Sequence, residues 1–271
     1  MDYQLAFVLL DRLARPDMKP LAKAVGRRHP GVAVSVPENN RTGEHDPLLL
    51  CDGGVVAIMS VMSPLPRDEG LLARASAIWV NSSQEFDRQR THLIVSVMES
   101  KKDRLAVARV ITAVVGGLLA TTPGCLGVVW GSKLANPAAR WLQMSEAAFA
   151  PYPDFPTALW IGFHPFQDER TGGVGVLTQG LANFVGRELE LVGPVSAFKS
   201  VLERAHGLAT YLVQNGLVLE DGSTFGVSET ERIVVRLCMS ERFPGLAVIA
   251  GSLAAKRRRE DDGRNSPGRI E

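Results

Sequence analysis

At 271 residues, with 45% apolar and 22% charged side chains, the chain has a globular composition and the length to bury one large core or two of ordinary size. Its 30 basic and 29 acidic residues leave a net charge of +1, so no overall field draws it to nucleic acid or to an anionic membrane. Cys51, Cys125 and Cys238 are odd in number, widely spaced and set in apolar stretches, which excludes a disulfide framework and a local zinc motif.

The N-terminus has no basic region and its apolar run breaks at Asp11, so Gln4 to Leu10 reads as a first strand rather than as a signal peptide. Asp17 then caps a helix through about Arg28, stopped by His29, Pro30 and Gly31. Val32 to Val36 is a strand, PENNRTGEHDP a loop, and Leu48 to Val61 a hairpin turning at Asp52-Gly53-Gly54. One helix is expected from about Asp68 to Asp87. His92 to Met98 is a strand, and Ser100 with Asp103 makes a capping box for a long apolar helix ending near Thr121. The near-apolar run within it, Val110 to Pro123, is too short to span a bilayer. Cys125 to Trp130 returns as a strand, which predicts a right-handed crossover with its two strands parallel in one sheet.

A further helix is expected from Asn136 or Pro137 to about Ala150, followed by the proline-dotted linker PYPDFP. Beyond it lie strands at Leu159 to Phe166, Val174 to Thr178 and Glu188 to Val192. Ser196 caps an amphipathic helix that Asn215-Gly216 ends. Asp221-Gly222 signals a type I′ hairpin between LVLE and STFGV, and Arg232 to Met239 is a last strand. Residues 254–271 carry six basic and four acidic side chains and, after Ala254-Ala255, no apolar one before Ile270, so they cannot bury enough surface to order themselves. The expected fold is α+β: mixed sheet with strand-helix-strand units, two ferredoxin-like halves packed together, and a disordered charged tail. Residues 1–253 form one domain, with 1–150 and 151–253 as subdomains.

Tests for catalytic motifs fail at named positions. Gly175 to Gly180 has the G-x-x-x-x-G spacing of a phosphate loop, but Leu181-Ala182 stands where Lys-Ser/Thr is needed, so a hairpin with tight turns is expected. Gly131-Ser132 follows a strand, yet Lys133 and Leu134 break the nucleophile-elbow pattern. His29, His45, His92, His164 and His206 are solitary in sequence and form no local metal site. His92 reads as a satisfied core histidine, while His164, in WIGFHPF, is the best placed to line a cleft. Glu188/Glu190 and Glu229/Glu231 each share a strand face, where they are expected to be solvated and paired with Arg187 and Arg232. The KRRR run of the tail is offset by the EDD after it.

Four stretches, VVWGS (128–132), LWIGFHPF (159–166), VGVLTQGLANFVGRELEL (174–191) and DGSTFGVSETERI (221–233), resemble the bacterial domain-of-unknown-function family 4261. THLIVSV and SPLP are similar to its N-terminal half. Val185 departs from the pattern by standing between Phe184 and Gly186. The resemblance implies one continuous unit in a bacterial cytoplasm and supplies no catalytic residues. The candidate binding residues are therefore Trp130, Ser132, His164, Thr178, Arg187, Glu188 and Glu190, with no catalytic group, metal or cofactor assigned. The expected function is a non-enzymatic interaction module of accessory or immunity type with a protein partner, without membrane or nucleic acid, its small-molecule ligand unspecified. The alternative is a hydrolase whose dispersed site unites Ser132, His164 and the Glu188/Glu190 pair.

Overall fold

The computed structural model describes residues 4–38, 47–75, 77–98, 103–131, 133–226 and 233–253. The tail from Ala254, together with Ser100, Ser132, His45, Glu229, Glu231 and Arg232, lies outside the described residues.

The first half holds β1 (Leu5–Leu10), α1 (Met18–Arg28), β2 (Val34–Ser35), β3 (Leu48–Cys51), β4 (Gly54–Val61), α2 (Glu69–Ala75), α3 (Ser82–Arg88), β5 (Thr91–Met98), α4 (Arg104–Thr121), β6 (Cys125–Trp130), β7 (Leu134–Pro137) and α5 (Ala138–Met144). Its sheet runs β2-β3-β4-β5-β1-β6-β7, antiparallel at every step. Because β1 is antiparallel to both β5 and β6, those two run the same way with β1 between them. The crossover through α4 therefore skips one strand, and β4-β5-β1-β6 has the ferredoxin-like order.

Local chemistry sets most of these elements. The Asp17 carboxylate accepts the Lys19 N–H at 3.1 Å and starts α1. Asp52 (φ 48°) and Gly53 (φ 72°) make the two-residue turn between β3 and β4. The α1/α4 contact is close: a Cβ on Gly117 would sit 2.5 Å from Val25 Cγ2. Asp103 caps α4, accepting the Ala106 N–H at 2.7 Å; its expected capping-box partner Ser100 lies outside the described residues. The length argument against a membrane span also falls, since α4 has 18 residues at mean hydropathy 1.6. Burial replaces it, because most of α4 is enclosed by the first sheet, α1 and α5.

Two elements differ from expectation for tertiary reasons. The single helix over 68–87 is two helices, and the break lets Trp79 lie on Gly127, where a Cβ would be 2.3 Å from the indole. The helix expected from Asn136 or Pro137 to about Ala150 has Pro137 as its N-cap and runs Ala138–Met144, because Gly131 (φ 55°) turns the chain back and Leu134–Pro137 pairs with β6.

The second half holds β8 (Gly162–Asp168), β9 (Gly173–Gln179), α6 (Ala182–Val185), β10 (Glu188–Gly193), α7 (Phe198–Asn215), β11 (Thr224–Phe225), β12 (Ile233–Met239) and β13 (Ala247–Ser252). The order is β11-β12-β13-β10-β9-β8, antiparallel except where β10 meets β13. Two meanders joined by α7 replace the second ferredoxin-like half. Pro165 sits mid-strand in β8, which its edge position permits. Ser196 lies in a 3₁₀ turn and makes no cap for α7. Asp221-Gly222 belongs to a turn closed by the Ser223 N–H to the Glu220 carbonyl, and the hairpin it leads into is β11/β12.

The PYPDFP stretch is no free linker. Phe155 is buried and stacks on Trp160 at 5.8 Å, and the Trp160 indole N–H donates to Thr112 Oγ1 at 2.8 Å. One cluster of buried side chains runs from Val8 and Ile111 through Trp160 to Leu191 and Leu212, so both halves share it.

Candidate functional site

In the second sheet, the chain leaves β9 at Gly180 (φ 112°), where a Cβ would lie 2.5 Å from the Trp160 carbonyl oxygen. Only glycine fits such a turn. The bend aims two backbone N–H groups at Glu188: Gly180 N–H donates to Oε1 at 2.8 Å and Leu181 N–H to Oε2 at 3.0 Å. Thr178 Oγ1 adds a third donor at 2.7 Å and itself accepts the Leu189 N–H. The turn that resembled a phosphate loop thus encloses the chain's own carboxylate.

Two residues on, Glu190 Oε1 accepts from Arg242 Nη1 at 2.7 Å, and its Oε2 accepts from the Ser240 hydroxyl. The same guanidinium forks onto Asp168, Nε to Oδ1 at 3.0 Å and Nη2 to Oδ2 at 2.9 Å. Thr171 Oγ1 donates to Asp168 Oδ2 at 2.6 Å. The Arg242 hydrogen bonds are the main reason the Asp168 carboxyl is held down at about 2. Ser240 Oγ accepts the N–H groups of Arg242 and Phe243, and Phe243 meets Phe166 edge-on at 5.2 Å. Ser240 to Gly245 is thereby pinned over one face of the sheet.

The expected sites distribute differently from the sequence reading. Glu188 and Glu190 are 3% and 2% exposed, not solvated, and neither pairs with Arg187. Arg187 donates to the carbonyls of Cys238 and Val248, bridging β12 and β13. Trp130 is buried against Trp141 and belongs to the core rather than to a cleft. His164, Leu177 and Glu190 share one row across β8, β9 and β10, which puts the backbones of His164 and Glu190 about 10 Å apart. The His164 ring packs over Gly162, near Gln179, and among the described residues its Nε2 makes no hydrogen bond of good geometry. Burial, with Arg74 nearby, lowers its pKa and keeps the imidazole neutral near pH 7. His92 is buried with Nδ1 2.9 Å from the Ser63 carbonyl oxygen. The structure thus unites Thr178 with Glu188, and Glu190 with the unanticipated Asp168, Ser240 and Arg242. Among the described residues no three His, Cys, Asp or Glu side chains gather into a metal-holding group.

The first sheet has a different second face. Its inner residues, such as Leu49, Val56, Ile58, Leu93 and Val95, are fully buried under α1 and α4. The residues pointing the other way follow from the register: Leu48, Leu50, Val55, Ala57, Met59, Ile94, Ser96, Met98, Leu5 and Phe7. Helices α2 and α3 cover only the Leu9 end. Leu50, Met59 and Met98 are 38%, 41% and 48% exposed. A solvated face of an antiparallel sheet is normally polar. This one has a single hydroxyl and no charge.

These features define an α+β protein of two sheets, one pinned by buried ion pairs and one open on an apolar face. Residues 177–248, from β9 to β13, match the family model described as a domain of unknown function (DUF4261), and the chain is DUF4261-like over that segment. No curated protein and no solved structure matches the chain.

Proposed function

We propose that the protein is a non-enzymatic interaction module that acts through the outer face of its first sheet. The carrying observation is that face, apolar at nine of ten positions, with Leu50, Met59 and Met98 exposed and the rest half-buried. The occupant that fits is a second copy of the chain, because an uncharged face opposes itself across a two-fold axis without like-charge contacts. Four strands at about 4.8 Å and about five residues at about 3.4 Å give a footprint on the order of 300 Å² in projection. That is under half of the roughly 800 Å² each partner buries in a standard interface, so the contact is a small one that flanking segments extend. The hydrolase alternative is weakened because its two carboxylates already hold donors from within the fold. Cys51, Cys125 and Cys238 form no disulfide among the described residues, which suits a reducing cytoplasm, and the family resemblance supports a bacterial one.

Sedimentation velocity tests this reading. The wild-type chain is expected to sediment as a dimer at micromolar concentration, and Met59→Glu as a folded monomer, since the dimer would bury an unpaired charge. A monomeric wild type, or a Met59→Glu variant that stays dimeric, contradicts it.

A further inference from the structure

Helix α1 lies on the opposite side of the first sheet from the open face, and its own outward side is distinctive. Lys19, Lys23 and Arg27 are exposed at i, i+4 and i+8, and α1 contains no acidic residue. Among the described residues none of the three has an ion-pair partner, whereas Arg88 pairs with Glu85, Arg28 with Glu146 and Lys199 with Glu203. Like charges spaced four residues apart weaken a helix. Here two such pairs follow one another. The three cations border a groove of about 450 Å³ whose other lining residues are Pro20 and Thr121, at the end of α4.

We propose that this groove docks an acidic peptide segment, goes beyond self-association, and gives the protein its second partner. A cation every four residues advances about 6 Å along the helix, the same repeat at which an acidic helix presents carboxylates at i, i+4 and i+8. Pro20 and the aliphatic stems of the three cations supply an apolar floor for the side chains between those carboxylates. Single-stranded nucleic acid fits less well, because α1 has no aromatic residue on which a base stacks. An anionic membrane also fits less well, since the apolar residues Met18, Leu21, Ala24 and Val25 are buried in the core and cannot insert. Docking on α1 leaves the outer sheet face free, so a dimer would carry two grooves, one per chain.

The test is fluorescence anisotropy of the intact protein with a labelled oligoglutamate long enough to span the three cations. A single-stranded oligonucleotide and vesicles of mixed phosphatidylserine and phosphatidylcholine serve as competing probes. Oligoglutamate is expected to bind at low salt and to weaken as salt rises. The triple variant Lys19→Gln, Lys23→Gln, Arg27→Gln should bind at least about tenfold more weakly, a Lys19→Arg, Lys23→Arg, Arg27→Lys variant should retain binding, and Lys199→Gln should not matter. All these side chains are exposed, and circular dichroism confirms that each variant is folded. Failure of the wild type to bind oligoglutamate, equal binding by the triple variant, or preference for oligonucleotide or vesicles overturns the proposal. None of these outcomes changes the dimer measurement, so the two readings fail separately.

Discussion

The two sheets meet the same requirement in opposite ways. Each is antiparallel or nearly so, has one face under long helices, and must dispose of the other. The second sheet covers the Asp168–Glu190 part of its far face with its own chain, folding Ser240 to Gly245 back and fixing it with Arg242 between those two carboxylates. Among the described residues, the far face of the first sheet is apolar and carries only α2 and α3, at its Leu9 end. Glu188, Glu190, Ser240 and Arg242 lie in the segment that matches the family model, Asp168 lies just before it, and the apolar face lies outside it.

Breaking the latch should have the largest effect. Arg242→Met leaves Asp168 and Glu190 buried without their cation, and removing one partner of a buried pair costs about 3–5 kcal/mol. Urea denaturation should show a loss of that order, and an unchanged midpoint would show that the loop is held by other contacts. Glu188→Ala is the next largest, since it strands the Thr178 hydroxyl and the N–H groups of Gly180 and Leu181, at about 2–3 kcal/mol.

Acid sharpens the comparison. The Asp168 carboxyl is depressed from 3.8 to about 2, so its contribution is complete above the unfolded value and is lost as pH falls from 3.8 toward 2. Stability of the wild type should drop over that window, and Arg242→Met should lose most of the Asp168 share of the drop. An identical acid profile in both would contradict the assignment. The smallest effect on stability is expected on the first sheet. In protein dilute enough to be monomeric, Met59→Thr exchanges one exposed side chain for another suited to a strand and should shift the unfolding free energy by no more than about 0.5 kcal/mol. A large loss would mean that the face is already covered within one chain.

Much of this fold is legible where it is decided locally. Asp17, the Asp52-Gly53 turn and the apolar stripe of α4 each specify their element within a few residues. The strand β13 is not legible, because Val248 and Ile249 form a short apolar run whose strand character comes from pairing with both β10 and β12. The break at Trp79 depends on Gly127, far along the chain. Thr178, Glu188 and Glu190 were recognisable as special, but their burial was not. It depends on a glycine turn and on Arg242, 52 residues from Glu190. The open face did leave a signal. LLLC, GVVAIMSV and THLIVSVM are apolar at nearly every position, the pattern of strands covered on both sides rather than one.

The most direct test of the central claim is methionine footprinting by dilute peroxide across a concentration series, because the side chain reports its own exposure. Met62 and Met239, 65% and 55% exposed and off the proposed interface, serve as internal references for Met59 and Met98. The account predicts that Met59 and Met98 are protected relative to those two at high protein concentration and lose that protection on dilution. Oxidation of all four in step at every concentration would contradict it.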